Sequence, residues 1–144
     1  MTMERTSPTT RPRPLIATAI VVLTLSTAYI HLSLGGPLFT LNAVGYAVLA
    51  AAWIAIATLS HPLVRRFDWM PRVGLAGYVA LTIVAYLVIG PYFTLGWVAK
   101  AIEVAILILL AIDLRMAFGT PAGLVRAGLS SVGLLSDDPR TTVA

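Results

Sequence analysis

The sequence predicts an all-α integral membrane protein, an up-and-down bundle of four transmembrane helices, and three observations predict it. Of 144 residues, 58% are apolar and only 11% charged, against roughly 25% charged in an ordinary soluble domain. Four apolar runs each approach or exceed the ~20 residues that cross a bilayer core of roughly 30 Å. The links between these runs alternate between Arg-rich and uncharged. A chain of one domain's size cannot hide this much apolar surface from water, because small domains bury only about two-thirds of their unfolded surface. Lipid is the solvent that fits, and disorder is excluded because disordered chains are poor in apolar residues.

The first span is read over 14–34, after a basic N-terminal segment, 1–13, that carries Arg5, Arg11 and Arg13. The second is read over 38–60, after the uncharged link SLGGP. The third is read over 73–92, after a link holding Arg65, Arg66 and Arg72. The fourth is read over 97–114, after the uncharged GPYFTLG, and Arg115, Arg126 and Arg140 follow it. Short cytoplasmic loops carry the Lys/Arg excess of membrane proteins, so both termini are expected on the cytoplasmic side, with two short Gly/Pro turns outside. Trp69 on the inner side, and Tyr92 with Trp97 on the outer, suit the aromatic belts of the two interfaces. A cleaved secretory signal ending near Ser26 and Ala28 is the alternative for the first run. Apolar character continues to Leu34, which favours an uncleaved helix.

The cytoplasmic tail, 115–144, differs in composition. Thr120 before Pro121 suits a helix start, and Val125, Leu129, Val132 and Leu135 give a weak apolar side to an interfacial helix over 121–135. Gly123, Gly128 and Gly133 weaken it, which leaves a mobile tail as the alternative. The terminal SDDPRTTVA reads as disordered.

Lipid gives helices no hydrophobic reason to associate, so small residues and interhelical hydrogen bonds must hold them. Ala43, Ala47, Ala51 and Ala55 recur every four residues along the second span, and Gly74 and Gly77 open the third. These are expected to pack helices within the bundle, with a self-association face as the alternative.

Ionisable groups at membrane depth are costly and face the protein interior, which makes each a functional candidate. Lys100 and Glu103, three residues apart on the fourth span, share one helix face. His31 ends the first span and Asn42 starts the second, so the up-down path brings all four residues to the same outer level. Thr24, Thr27 and His31 make a polar stripe on the first span, Asn42, Gly45, Tyr46 and Trp53 on the second, and Tyr78, Thr82 and Tyr86 on the third. If these stripes face inward, His31, Asn42, Tyr46, Tyr86, Lys100 and Glu103 line a polar upper core fit for protons or a small ligand. The plainer alternative has Lys100 snorkelling outward from Glu103 while His31 and Asn42 satisfy turn backbone.

Several chemistries drop out. With no Cys, disulfides, thiolate metal sites and cysteine nucleophiles are excluded. His31 and His61 stand a membrane thickness apart, so one chain cannot clamp a haem between them; only a dimer sharing His31 could. His61, directly before Pro62, reads as a helix-end residue. No phosphate-binding glycine loop, His-Glu-x-x-His pair or Gly-x-Ser-x-Gly elbow occurs. Asp68 and Asp113 are expected to pair with Arg65, Arg72 or Arg115. The net charge of +4 is dispersed beside apolar runs, which points to a membrane surface and not to nucleic acid.

The stretch AYIHLSLGGPLFTLNAVGY, Ala28 to Tyr46, resembles a segment of uncharacterised small four-span membrane proteins of high-GC bacteria, in which IHL ends the first span and PLF-x-LNA opens the second. Ile30, His31, Leu32, Pro37, Leu38, Phe39, Leu41, Asn42, Ala43 and Gly45 carry the match. The link SLGG is shorter than in that group. The resemblance implies four helices in a bacterial membrane and singles out His31 and Asn42, but implies no activity.

Three function classes follow. The first is a non-catalytic component of the bacterial inner membrane, either an accessory subunit of a larger complex or a self-associating bundle, with lipid and other membrane subunits or itself as partners and no cofactor. The second is a dimeric transporter or proton-coupled carrier that titrates Glu103 beside Lys100 and His31. The third is a membrane enzyme acting on quinone or lipid through the outer cluster.

Overall fold

The computed structural model describes residues 12–134, with side chains from residue 14; the basic segment before it and the tail after it lie outside the described residues. The helices are α1 (Pro12–Leu34), α2 (Pro37–Thr58), α3 (Pro62–Arg66), α4 (Trp69–Ile89), α5 (Thr94–Phe118) and α6 (Pro121–Ser131). Four of them, α1 from Pro14, α2, α4 and α5, are long and apolar enough to cross a membrane, with mean hydropathies of 2.0, 1.8, 1.9 and 2.2. The chain is a multi-pass membrane protein with an all-α fold.

Each long helix stops for a local reason. Gly35 and Gly36 both take positive φ, 71° and 82°, a conformation that residues with a Cβ avoid, and Pro37 then starts α2 where its missing N–H costs nothing. At the same end Gly90 closes α4 through its N–H to the Tyr86 carbonyl, and Pro91 prevents continuation. At the opposite end α3 is a short helix capped by His61, whose Nδ1 accepts from the Leu63 N–H at 3.2 Å. Gly119, at φ 71°, ends α5, and Thr120 Oγ1 caps α6 by accepting from the Gly123 N–H. Thr120 starts a helix as the sequence suggests, whereas His61, expected to end the second span read over 38–60, instead caps the start of α3, because α2 already stops at Thr58.

The four long helices form a ring in which α1 packs on α2 and α5, and α4 packs on α5 and, least closely, on α2. Ile20, Leu75, Val79, Ile106 and Leu110 fill a buried apolar layer across the middle of the bundle. Polar clusters lie above and below it: one near the α1–α2 and α4–α5 turns, called here the turn end, and one near α3.

The cluster beside α3 centres on Arg72. Its Nε donates to Asp113 Oδ2 at 2.7 Å and its Nη1 to Asp68 Oδ2 at 3.1 Å, and the guanidinium stacks with Trp53 and Phe118. Here the third and fourth spans depart from expectation. The expected spans, 73–92 and 97–114, exclude Arg72 and Arg115, whereas α4 runs Trp69–Ile89 and α5 runs Thr94–Phe118. The charged residues do not end the helices because they neutralise one another. Trp69 Nε1 donates to Ser131 Oγ and Arg66 Nε to the Ser131 carbonyl, which ties the end of α6 to the start of α4 and to α3.

The small-residue strip also needs correction. Ala43 is buried, but Ala47 and Ala51 face outward and Ala55 is half-buried; the inner face of α2 is Ala43, Tyr46, Ala50 and Trp53. Tyr46 and Trp53 reach polar partners inside, whereas Ala loses little against lipid, so the aromatic register wins the interior. Gly74 and Gly77 are exposed, and a Cβ added at Gly77 would meet nothing within 4 Å. Close approach occurs instead at Gly45, where a Cβ would stand 2.5 Å from Tyr78 Cζ, and at Gly96, where it would stand 2.5 Å from the Tyr86 hydroxyl.

Candidate functional site

Glu103 is the centre of the turn-end cluster. It lies about 14 Å along α5 from Thr94 at 1.5 Å per residue, near half-depth of a bilayer core, and is fully buried. A lone carboxylate there would be prohibitively costly, so its partners decide the site.

Lys100, one turn toward the turn end on α5, donates from Nζ to Glu103 Oε2 at 2.5 Å and to the Thr82 carbonyl at 3.2 Å. Its Nζ also lies 5.4 Å from the centre of the Tyr86 ring, an attractive cation–π position. Lys100 is 7% exposed, so it points inward, and the alternative in which it snorkels outward is not what the structure adopts. From α4, Thr82 Oγ1 donates to Glu103 Oε2 at 3.1 Å, with the Val79 carbonyl as a competing acceptor at 2.9 Å. Tyr46 on α2 lies 2.7 Å from that hydroxyl. Since Thr82 has one proton to give, Tyr46 donates into Thr82 when Thr82 donates onward.

On α1, Thr27 Oγ1 donates to Glu103 Oε1 at 3.5 Å. His31 Nδ1 lies 2.8 Å from the Thr27 carbonyl, which accepts only, so this nitrogen carries a proton. The other ring nitrogen, Nε2, faces Glu103 Oε1 at 3.9 Å, and the ring packs beside Tyr46 and Phe39. All four long helices thus contribute to one network, and among the described residues no buried side-chain nitrogen or oxygen lacks a partner.

Asn42 joins at one remove. Tyr78, lying over Gly45, donates to Asn42 Oδ1 at 2.7 Å, and its ring meets Tyr46 edge-on at 5.0 Å. Tyr86 sits over Gly96 and forms edge-to-face pairs with Tyr92, Phe93 and Trp97. Of the six residues expected in an upper polar core, His31, Tyr46, Lys100 and Glu103 form the centre, with Asn42 and Tyr86 around it. Thr27 and Thr82, read only as parts of helical stripes, prove to be direct donors to Glu103.

A cavity of about 300 Å³ lies above this network. Its walls are mainly apolar, with Leu38 and Leu41 from α2 and Leu81 and Ile89 from α4, and all four of these are exposed on the bundle surface. The cavity therefore opens sideways, between α2 and α4, toward lipid. His31, Asn42, Tyr78, Thr82, Tyr86 and Lys100 supply its polar lining; Glu103 lies behind them. Toward α3 the central apolar layer closes it.

A second cavity, of about 430 Å³, lies beside α3 and is lined by Trp53, Arg65, Asp68, Arg72 and Asp113. Its charges are mostly engaged with one another in the Arg72 cluster. Among the described residues no three His, Asp or Glu side chains group as metal ligands. No known family, curated protein or solved structure matches this chain.

Proposed function

We propose that this protein is a membrane-embedded binding protein for a small amphiphile, which enters from the bilayer between α2 and α4 and rests its polar head on the His31 and Lys100 floor. One observation carries the reading: a side-opening apolar cavity ends on Lys100, whose buried partner Glu103 lies behind it. Ligand sites combine a mostly apolar lining with a few convergent polar groups in this way. A buried ion pair is in general no more stabilising than apolar residues of the same volume, so a role beyond folding accounts for its cost. The apolar layer below favours binding or carriage from one end over a continuous channel. Both the carrier and the enzyme acting on quinone or lipid are special cases of this reading, and neither requires a resident cofactor in the bundle.

The Arg distribution supports both termini on the cytoplasmic side, which would put the turn end and its cavity in the outer half; the resemblance of the Ala28–Tyr46 segment is what points to a bacterial membrane. A test of the binding reading is mass analysis of organic extracts from purified wild-type protein and from Ala85→Phe, which fills the cavity wall without touching the ion pair. A specific amphiphile should accompany the wild type in fixed ratio and be depleted from the variant; identical extracts would reject the reading.

A second reading, an accessory subunit or self-associating bundle, draws on the outward position of Ala47 and Ala51. Small residues let a neighbouring helix approach closely. Enlarging both to Leu should then release a co-purifying partner or a second copy, while leaving the bundle folded.

A further inference from the structure

Resting on the ligand-binding reading above, we infer that the ligand is a single-chain amphiphile with a monoanionic oxygen head, and that its binding is coupled to proton uptake at His31. Three features of the floor carry this.

The first is the contact between His31 and Glu103. With Nδ1–H committed to the Thr27 carbonyl, a neutral His31 turns the lone pair of Nε2 toward Glu103 Oε1 at 3.9 Å. Two acceptors then face each other across 3.9 Å, beside the cavity that His31 lines. A proton on Nε2 removes the conflict and makes the contact a charge-assisted one.

The second is the charge count. Lys100 and Glu103 cancel, so a protonated His31 leaves the cluster at +1. The titratable and charged groups facing His31 are Glu103 and Lys100 on α5 and Tyr46 on α2, while α4 presents the hydroxyls of Tyr78 and Thr82 beyond Tyr46. No second carboxylate among the described residues reaches this cluster, and the buried positive charge calls for an anion. The proton resides on Nε2 while the anion is bound and is released when the anion leaves.

The third is what an occupant meets. Lys100, His31, Tyr78 and Tyr86 line the cavity, and Glu103 is not among its lining residues. Such a lining favours a head that accepts hydrogen bonds, and the opening between α2 and α4 favours an alkyl chain that stays in lipid. A single chain suits the size of the cavity better than a two-chain lipid.

The experiment uses the full chain in lipid nanodiscs, with equilibrium binding of radiolabelled decanesulfonate and, separately, decanol, empty nanodiscs being subtracted. The sulfonate stays ionised throughout, so any pH dependence belongs to the protein. Saturable sulfonate binding is expected, tighter by about tenfold or more in mildly acidic than in mildly alkaline buffer, as a charge-assisted contact of this kind would give. Decanol should bind more weakly and without pH dependence. His31→Gln should flatten the sulfonate profile, and Ala85→Phe should block both probes; the wild-type profile tests the inference even if His31→Gln fails to fold. Decanoate and decyl phosphate, as competitors in alkaline buffer, then distinguish carboxylate from phosphate heads. Decanol binding as tightly as the sulfonate, or a flat wild-type profile, would overturn this inference and leave the cavity reading standing. Saturable binding of neither probe would overturn both.

Discussion

Nε2 of His31, on α1, lies 3.9 Å from Oε1 of Glu103, on α5, although 72 positions of sequence separate the two residues. The contact crosses a helix seam at membrane depth, and it joins the histidine to a carboxylate already held by Lys100, Thr27 and Thr82.

The Lys100–Glu103 pair should separate a folding role from a functional one. Lys100→Met alone leaves a fully buried carboxylate without its cation, and a loss of about 3–5 kcal/mol is expected. Replacing both residues by Met removes the uncompensated charge and should restore most of that stability. Thermal unfolding in detergent, followed by helix signal, measures both; equal losses in the single and double variants would refute this account of the pair.

Glycine substitutions should be felt where a tyrosine overlies the backbone. Gly45→Ala drives a methyl into Tyr78 and Gly96→Ala drives one into Tyr86, so each should cost about 1–3 kcal/mol, the range of overpacked sites. Gly77→Ala meets open space and should be near neutral or slightly stabilising, because Ala is the better helix former. Pairing Gly45→Ala with Tyr78→Leu should recover part of the first loss. The same unfolding assay ranks the four proteins.

Arg72 should prove the most sensitive arginine among the described residues. Arg72→Ala orphans the buried Asp113 and exposes the face of Trp53, with an expected loss of about 3–5 kcal/mol. Arg65→Ala, at an exposed position, should change stability by less than about 0.5 kcal/mol. Similar losses at both sites would contradict the Arg72 cluster as drawn.

Much of this architecture was legible in the sequence because a bilayer imposes a fixed length and the up-down path fixes which ends meet. Those two constraints place His31, Asn42, Lys100 and Glu103 at one outer level; of these, Asn42 joins the network only through Tyr78. Rotation about each helix axis was less legible. Ala43, Ala47, Ala51 and Ala55 looked like a packing face, but lipid penalises an outward Ala so little that Tyr46 and Trp53, each with a polar partner inside, set the orientation of α2. Helix ends next to Arg72 and Asp113 were misplaced for a related reason: hydropathy counts each charge alone, and these two are paired across α4 and α5. The short α3 carries no apolar period long enough to read.

Orientation is open to direct test because the chain has no Cys to interfere. Single cysteines at Gly36 and at Arg65 should react with a membrane-impermeant maleimide from opposite sides of intact cells, Gly36 from outside and Arg65 only after permeabilisation. The reverse pattern would invert the proposed topology and place the cavity in the cytoplasmic half.

In the proposed function the cavity above Lys100 and Glu103 holds a small molecule. Native mass spectrometry of the protein, gently extracted from its own membrane, tests it in one spectrum. The account predicts intact chains carrying a low-mass amphiphile in fixed ratio, with the adduct lost in Ala85→Phe. Chains bound only to larger protein subunits, with no small molecule retained in either form, would contradict it and make the ion pair a feature of packing.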